Sequence, residues 1–498
     1  MAKVKIHSVK FNVLMNMVLT SSQFIFPLIT IPYVSRVLGT NGTGAVAFAQ
    51  SVAAYFSLAA LLGIQVYGIR ACSSVRDDAR VLATTVKELL VILLVSTTVM
   101  TIVYIACLFV VPKMAEDRPL FLLFGLNVWL ASFGVEWFYQ ALEQYGYITA
   151  RSIAFKFIGL LLMFLIVRTA DDYFKYGITV IVAGYGSNIL NMIRLHSLVD
   201  FNQSNRLRVS RHFRPMLMFA VASTSSNMYV QADTLCLGFL GTNSMVGLYQ
   251  LVTKIKSVLV SATNAVGNAM LPRFSYYSAN GNSDKLLELT AKNIDFVAIL
   301  SACVIAGCTF CARPVVLILG GEQFLGSALP LMLISPAVMF SALNIILGNR
   351  LVADNRESEW AVINLIGLGI ALLLNVTLIP ILGVPGAALS ATGCEFFVFL
   401  MRAYRSRVML RSLVPYLDVA KIAACGVVAW ALTASVAFTV FAKHGLLLSL
   451  IAPIILFGFL FMLFLYLTHV RLLRGLLVGK VSPSKRHAAP KHLRGSRR

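Results

Sequence analysis

Leu89-Leu-Val-Ile-Leu-Leu-Val-Ser-Thr-Thr-Val-Met-Thr-Ile-Val-Tyr-Ile-Ala-Cys-Leu-Phe-Val-Val111 is an unbroken run without a single charged residue. A helix of roughly 20 apolar residues crosses the hydrocarbon core of a bilayer, so this run reads as a membrane span. Similar stretches lie on both sides of it, at 11–38, 45–69, 119–140, 152–168, 177–199, 215–240, 246–271, 293–319, 327–350, 361–379, 385–402, 420–441 and 446–468. Hydrophobic residues make up 58% of the 498-residue chain and charged residues 12%, with mean hydropathy +0.82. A soluble domain carries about twice that share of charge. The sequence predicts an all-α polytopic membrane protein of about 14 transmembrane helices. Its connections are too short to hold a soluble catalytic domain. The basic start, Met1 to Phe11, runs straight into the first span with no small-residue cleavage pattern, so no cleavable signal is expected.

A net charge of +22 raises the question of nucleic acid, and the placement of the charges answers it. With the N-terminus in the cytoplasm, the loops and span edges on that side collect 33 of the 42 Lys and Arg residues, against 6 on the other side. Arg36, Lys254 and Lys256 remain, within or at the edge of spans. This is the positive-inside pattern; it predicts both termini in the cytoplasm and no nucleic-acid partner. The even number of spans agrees. The basic tail from Val470 onward is suited to anionic inner-leaflet lipid.

Eight cysteines are scattered through apolar runs. Cys308 and Cys311 form a C-x-x-C, but the run Cys303-Val-Ile-Ala-Gly-Cys-Thr-Phe-Cys311 reads as a helix using small apolar residues. No metal site and no disulfide framework is expected.

Leu38-Gly-Thr-Asn41 recurs as Leu240-Gly-Thr-Asn243, an offset of 202 residues or six spans. Ser21-Ser22 and Ser223-Thr224 keep the same offset, and Phe48-Ala-Gln50 resembles Leu248-Tyr-Gln250. Six spans is an even number, so the halves form a parallel repeat about an axis along the membrane normal. The expected plan is an N-terminal lobe over 1–200, a linker over 201–215 and a C-terminal lobe over 216–403. Two appended helices over 404–469 and a basic tail over 470–498 complete it. In such a plan the substrate site lies between the lobes.

Polar residues at helical spacing mark faces turned to protein or water. Span 8 carries Lys254, Ser257, Ser261, Asn264 and Asn268 on one face, and Lys256 falls elsewhere. Span 1 carries Asn12, Asn16, Thr20, Gln23, Pro27 and Thr30. Span 4 shows Trp129, Ser132, Glu136, Tyr139 and Glu143. Span 7 shows Ser226, Tyr229 and Asp233 on one face and Thr224, Asn227 and Gln231 on another. Ser, Thr and Asn also serve as interhelical glue. A buried ammonium is harder to explain that way, at a cost of about 2.5–3.5 kcal/mol near mid-span. Lys254 is therefore the leading cavity cation. Arg36 and Arg70 follow, although snorkelling and positive-inside anchoring explain them equally well. Glu136, Asp233 and Glu395 are the membrane carboxylates, candidates for proton or Na⁺ coupling or for pairing with a nearby cation. A polar cavity lined by cations selects an anionic solute rich in hydroxyls.

The residues Asn12-Val-Leu-Met-Asn16, Pro27-Leu-Ile-Thr-Ile-Pro-Tyr33-Val-Ser-Arg36-Val-Leu-Gly39 and Gly44 to Gln50 resemble the Wzx-type O-antigen and polysaccharide flippases. These belong to the multidrug/oligosaccharidyl-lipid/polysaccharide superfamily. Asp233, Gly241 to Tyr249 and Leu271-Pro-Arg273 are similar to that family too. The resemblance implies alternating access, with a polyprenyl-pyrophosphate-linked oligosaccharide moved from the cytoplasmic to the outer leaflet of a bacterial inner membrane. It implies cavity cations on the pyrophosphate, matched here by Lys254, Arg36 and Arg70, and H⁺ or Na⁺ as coupling ion, with no other cofactor. A polysaccharide polymerase is a further candidate partner.

Three other readings compete. A multidrug antiporter of the same superfamily calls for an acidic, aromatic cavity, whereas Lys254 is the best-placed charge here. A peptidoglycan-precursor lipid flippase differs only in substrate. An enzyme needs an ordered loop bearing acid–base residues; the longest outer loop, Arg313 to Gly326, has one Arg, one Glu and no His. No catalytic residues are assigned.

Overall fold

A computed structural model describes residues 8–201, 207–279, 283–354, 356–437 and 446–472. All fourteen expected spans fall on helices over their described residues, positions 438–441 of the thirteenth lying outside them. The first two lie in one run, α1 (Val9–Leu61), broken at Gly39, where φ is +65° and ψ −170°. That backbone suits glycine and turns the chain back through the bundle. Leu62 (φ 44°) and Gly63 (φ 72°) then separate α1 from α2 (Ile64–Ser73). The third span is α3 (Ala79–Val110), capped by the Asp78 carboxylate on the backbone N–H groups of Arg80 and Val81. A single turn, α4 (Pro112–Ala115), leads to the fourth span.

Two spans are interrupted in ways hydropathy does not register. The fourth is α5 (Arg118–Phe133) and α6 (Glu136–Ala141), parted at Gly134 and Val135, whose φ is +36°. Asn191 donates its amide to the Gly134 carbonyl, and Asn188 reaches the Leu130 carbonyl at 2.9 Å. Broken helices persist at membrane depth only when freed carbonyls are satisfied in this way. The fifth span is α7 (Tyr145–Ile166). The sixth is α8 (Tyr173–Ile181) and α9 (Ser187–Leu198), joined by a π turn over Val182–Gly186.

The second half holds α10 (Ser210–Leu240), α11 (Asn243–Ala279), α12 (Ser283–Leu319), α13 (Ala328–Ala353), α14 (Glu357–Leu382) and α15 (Val384–Arg405). Helix α10 starts within the segment 201–215, so the connection there is shorter than the sequence suggested. After the short α16 (Arg407–Leu413), α17 (Val419–Ala437) and α18 (Leu446–Leu467) pack on each other and on α12. Cys311 takes part in that packing, its Sγ donating to the Leu450 carbonyl at 3.3 Å.

Eleven described segments are long and apolar enough to cross a membrane, one of them (Lys10–Ser73) covering the first two spans. Helices α10 and α11 fall outside that set; they are more polar than their neighbours and carry Asp233 and Lys254. Helix α1 is the hub, packing on α3, α5 and α7 in its own half and on α10 and α11 in the other.

Candidate functional site

The two halves meet tightly at the end of the bundle that holds Gly39. A Cβ on Gly44 would lie 1.7 Å from the Asn243 carbonyl oxygen, and one on Gly247 would lie 2.0 Å from that of Thr40. Only glycines permit such backbone approach. The hydroxyls of Thr40 and Ser244 lie 2.8 Å apart across the same seam. Arg36 spans it as well, donating from Nη1 to the Pro32 carbonyl at 2.8 Å and from Nη2 to the Ile318 carbonyl at 2.6 Å.

Beneath this seam a small cavity of about 60 Å³ lies between α1 and α11, lined by Ser35, Thr43, Gln50, Gln250, Lys254 and Tyr176 among others. A second cavity of about 270 Å³ adjoins it, sharing Gln50 and Tyr176. Its walls come from α1, α7 and α8, with Ser22, Gln23, Pro27 and Thr30 on one side and Lys156 on another. The polar stripe of span 1 thus lines it from Gln23 to Thr30. Asn16 is exposed further down α1, and Asn12 is buried.

Lys254 is half-buried, and its ammonium has no hydrogen-bond or ion-pair partner among the described residues. Ser257 and Ser261 continue its face and donate to the carbonyls of Lys254 and Ser257 at 2.7 and 2.8 Å. The side chains of Asn264, Asn268, Ser226 and Tyr229 lie outside the described residues. Arg36 and Arg70 line neither cavity; Arg70 is exposed on α2.

The sequence reading passed over Lys156, which faces the cavity from α7. Its Nζ donates to Ser22 Oγ at 2.7 Å and sits 6.0 Å from the Phe26 ring centroid. Gln50 and Tyr176, which join the cavities, were also not picked out as lining residues.

The three carboxylates are all engaged. Glu136 accepts from Arg151 Nη2 at 2.6 Å, while Arg151 Nη1 reaches the Ser187 carbonyl at 3.0 Å. This pair ties the α5–α6 break to α7 and α9. The rest of the span 4 stripe packs within the same half: Ser132 with Thr97 at 2.6 Å, Tyr139 with the Asn191 carbonyl at 2.7 Å, and Glu143 with Arg76 at 2.9 Å. Asp233 is buried at 5% exposure, accepting from Tyr249 Oη at 2.9 Å and Asn375 Nδ2 at 2.7 Å. Glu395 accepts from Asn344 Nδ2 at 2.8 Å. Among the described residues, no group of three or more His, Cys, Asp or Glu side chains is placed to hold a metal ion.

This arrangement is a small cavity between the two halves that holds Lys254, adjoining one within the first half that holds Lys156, each with amide and hydroxyl groups set among apolar walls. The profile of a polysaccharide biosynthesis protein family matches residues 9–278, which include Arg36, Lys156 and Lys254. A putative O-antigen transporter of Shigella dysenteriae is 22% identical over 405 residues, covering 80% of this chain and 100% of that one. Among solved structures, the lipid II flippase MurJ in an inward closed conformation aligns with a TM-score of 0.71 at 12% identity, over 93% of this chain and 100% of that one. An inward-facing multidrug resistance MATE family transporter of the MOP superfamily aligns at 0.58 and 13% identity, over 78% of this chain and 96% of that one. These transporters share the fold of this chain, and with more than half its length matched by the family profile, the chain belongs to the polysaccharide biosynthesis protein family.

Proposed function

We propose that this protein carries a polyprenyl-pyrophosphate-linked oligosaccharide from the cytoplasmic to the outer leaflet by alternating access, supplying surface polysaccharide synthesis. The observation that carries this reading is Lys254, an ammonium without a carboxylate partner in a cavity between the two halves. The similar O-antigen transporter supports the substrate class. The positive-inside pattern puts the Gly39 end on the outer side, so the seam at Gly44 and Gly247 is the closed outer gate. The pyrophosphate sits among cavity cations and the sugars among Gln23, Thr30, Gln50 and Gln250, while the lipid tail stays in the bilayer. Arg36 acts by holding the gate. Asp233, held by Tyr249 and Asn375 with no ion pair among the described residues, is the leading group for H⁺ or Na⁺ coupling, ahead of Glu395. Glu136 neutralises Arg151.

The test is flipping of a polyprenyl-pyrophosphate oligosaccharide in proteoliposomes by wild type, Lys254→Ala and Lys254→Arg. Loss in Lys254→Ala with partial recovery in Lys254→Arg, at equal protein levels, is the expected result. Wild type that flips lipid II but no polysaccharide precursor assigns the protein to cell-wall precursor transport. Wild type that flips neither and exports cationic drugs overturns the reading.

A further inference from the structure

Lys156 lies at the midpoint of α7, which runs from Tyr145 to Ile166. A lysine so placed is costly unless a counter-charge or water compensates it. Its ammonium donates to Ser22 Oγ, and no carboxylate oxygen lies within 4.0 Å of it among the described residues. Glu136, on the neighbouring helix, is taken by Arg151. Ser22 spends its own hydrogen on the Leu19 carbonyl at 2.6 Å, so its oxygen can only accept from the ammonium. An ammonium has three donors, and this geometry fixes one and leaves two for the cavity. A second clasp, Thr149 Oγ1 to the Met15 carbonyl at 2.9 Å, holds α7 against α1 below it.

Depth separates this lysine from Lys254. Contact of Gly44 with the Asn243 carbonyl sets α1 and α11 level at the Gly39 end. Ser22 precedes Gly39 by 17 residues of α1, about 25 Å of helical rise. Lys254 follows Asn243 by 11 residues of α11, about 16 Å. Lys156, anchored at Ser22, therefore stands nearer the end that carries the chain termini, in the adjoining cavity and on the opposite half.

We propose that Lys156, positioned by Ser22, is a phosphate-binding subsite in the N-terminal half, taken by the diphosphate of the lipid-linked substrate before it reaches Lys254. The proposal rests on the flippase reading and deepens it, giving the cavity two successive cationic stations, one from each half. Ser22 is a positioning residue, and Lys156 touches the ligand.

The test is the rate at which a small amine-reactive reagent labels Lys156, read by mass spectrometry of the full-length protein in phosphatidylcholine vesicles. A polyprenyl diphosphate oligosaccharide slows that labelling by about tenfold, as expected for a charged hydrogen bond. Inorganic diphosphate gives weaker protection, and phosphatidylglycerol gives none. Unchanged labelling with the lipid-linked ligand, or equal protection by phosphatidylglycerol, overturns the proposal. In flipping assays Lys156→Ala raises the half-saturating substrate concentration more than it lowers the maximal rate, Lys156→Arg recovers most of the loss, and Ser22→Ala falls between. Flipping indifferent to Lys156→Ala sinks the subsite and leaves the flippase reading intact. Protection of Lys156 in a protein that does not flip sinks that reading and leaves the subsite.

Discussion

Gly44 and Gly247 pack each against the other's helix, the first on the Asn243 carbonyl and the second on the Thr40 carbonyl. The contact is reciprocal, as two copies of one helical start make when they meet about a shared axis. Thr40 and Asn243, which belong to the tetrapeptides Leu38–Asn41 and Leu240–Asn243, both lie at this seam.

Alanine at either glycine places a methyl group inside a backbone atom, which cannot swing aside. Gly44→Ala and Gly247→Ala are each expected to destabilise the seam by the upper end of the about 1–3 kcal/mol usual for overpacking. Thermal unfolding in detergent should fall for both, and a cysteine at Thr40 should react faster with a membrane-impermeant thiol reagent. Gly307→Ala, at a site with no atom within 4 Å, is the control.

Arg36 is committed to the Pro32 and Ile318 carbonyls. Arg36→Ala removes the exposed hydrogen bond to Ile318 that crosses the seam and should loosen it modestly while substrate affinity stays near wild type. Thiol accessibility at Thr40 and equilibrium binding of the lipid-linked ligand check the two halves of this statement. A large fall in affinity with an unchanged seam would instead make Arg36 a ligand-binding cation.

The Arg151–Glu136 pair holds an interrupted helix together. Arg151 is buried but the Glu136 side chain is 43% exposed, so Arg151→Ala is expected to cost less than the roughly 3–5 kcal/mol of a fully buried pair. Glu136→Gln should cost less, since the Ser187 carbonyl and Asn188 Oδ1 remain for the guanidinium. A double-mutant cycle read by thermal stability should give a coupling of about 0.5–3 kcal/mol. Flipping per folded molecule should be unaffected by Glu136→Gln, whereas a coupling role would make it fall.

Asp233→Asn keeps the shape of the cluster with Tyr249 and Asn375, whereas Asp233→Ala removes their shared acceptor and leaves Tyr249 Oη only the Ala387 carbonyl at 3.5 Å and Asn375 Nδ2 only the Ala371 carbonyl at 2.8 Å. The asparagine variant should fold, and its flipping should lose dependence on an imposed H⁺ or Na⁺ gradient. Gradient dependence that survives the change would confine Asp233 to a structural role.

Much of this was legible in the sequence. Long apolar runs must satisfy their own backbone in lipid, so each of the fourteen became helix. Lys254 stood out because it shares a face with Ser257 and Ser261. The breaks at Gly134–Val135 and Val182–Gly186 were not legible, since hydropathy records side chains and not the carbonyls that Asn188 and Asn191 repair. Lys156 was hidden by a boundary. A span drawn from residue 152 leaves it one turn from the edge, among loop charges, but the helix begins at Tyr145 and centres it. The part played by Arg36 depends on Ile318, a partner 282 residues away that no local pattern reveals.

Helix α10 is fastened at both ends to different partners. At its start, Arg211 and His212 grip the fully buried Glu88 of α3, and His212 Nδ1 meets Tyr67 Oη of α2 at 2.7 Å. Further along, Asp233 is bound to α11 and α14. Under the alternating access proposed above, a rod clamped in this way bends between His212 and Asp233 when one half turns against the other. In that proposed cycle the stretch works as a leaf spring, and its stiffness sets how readily the two ends of the cavity exchange.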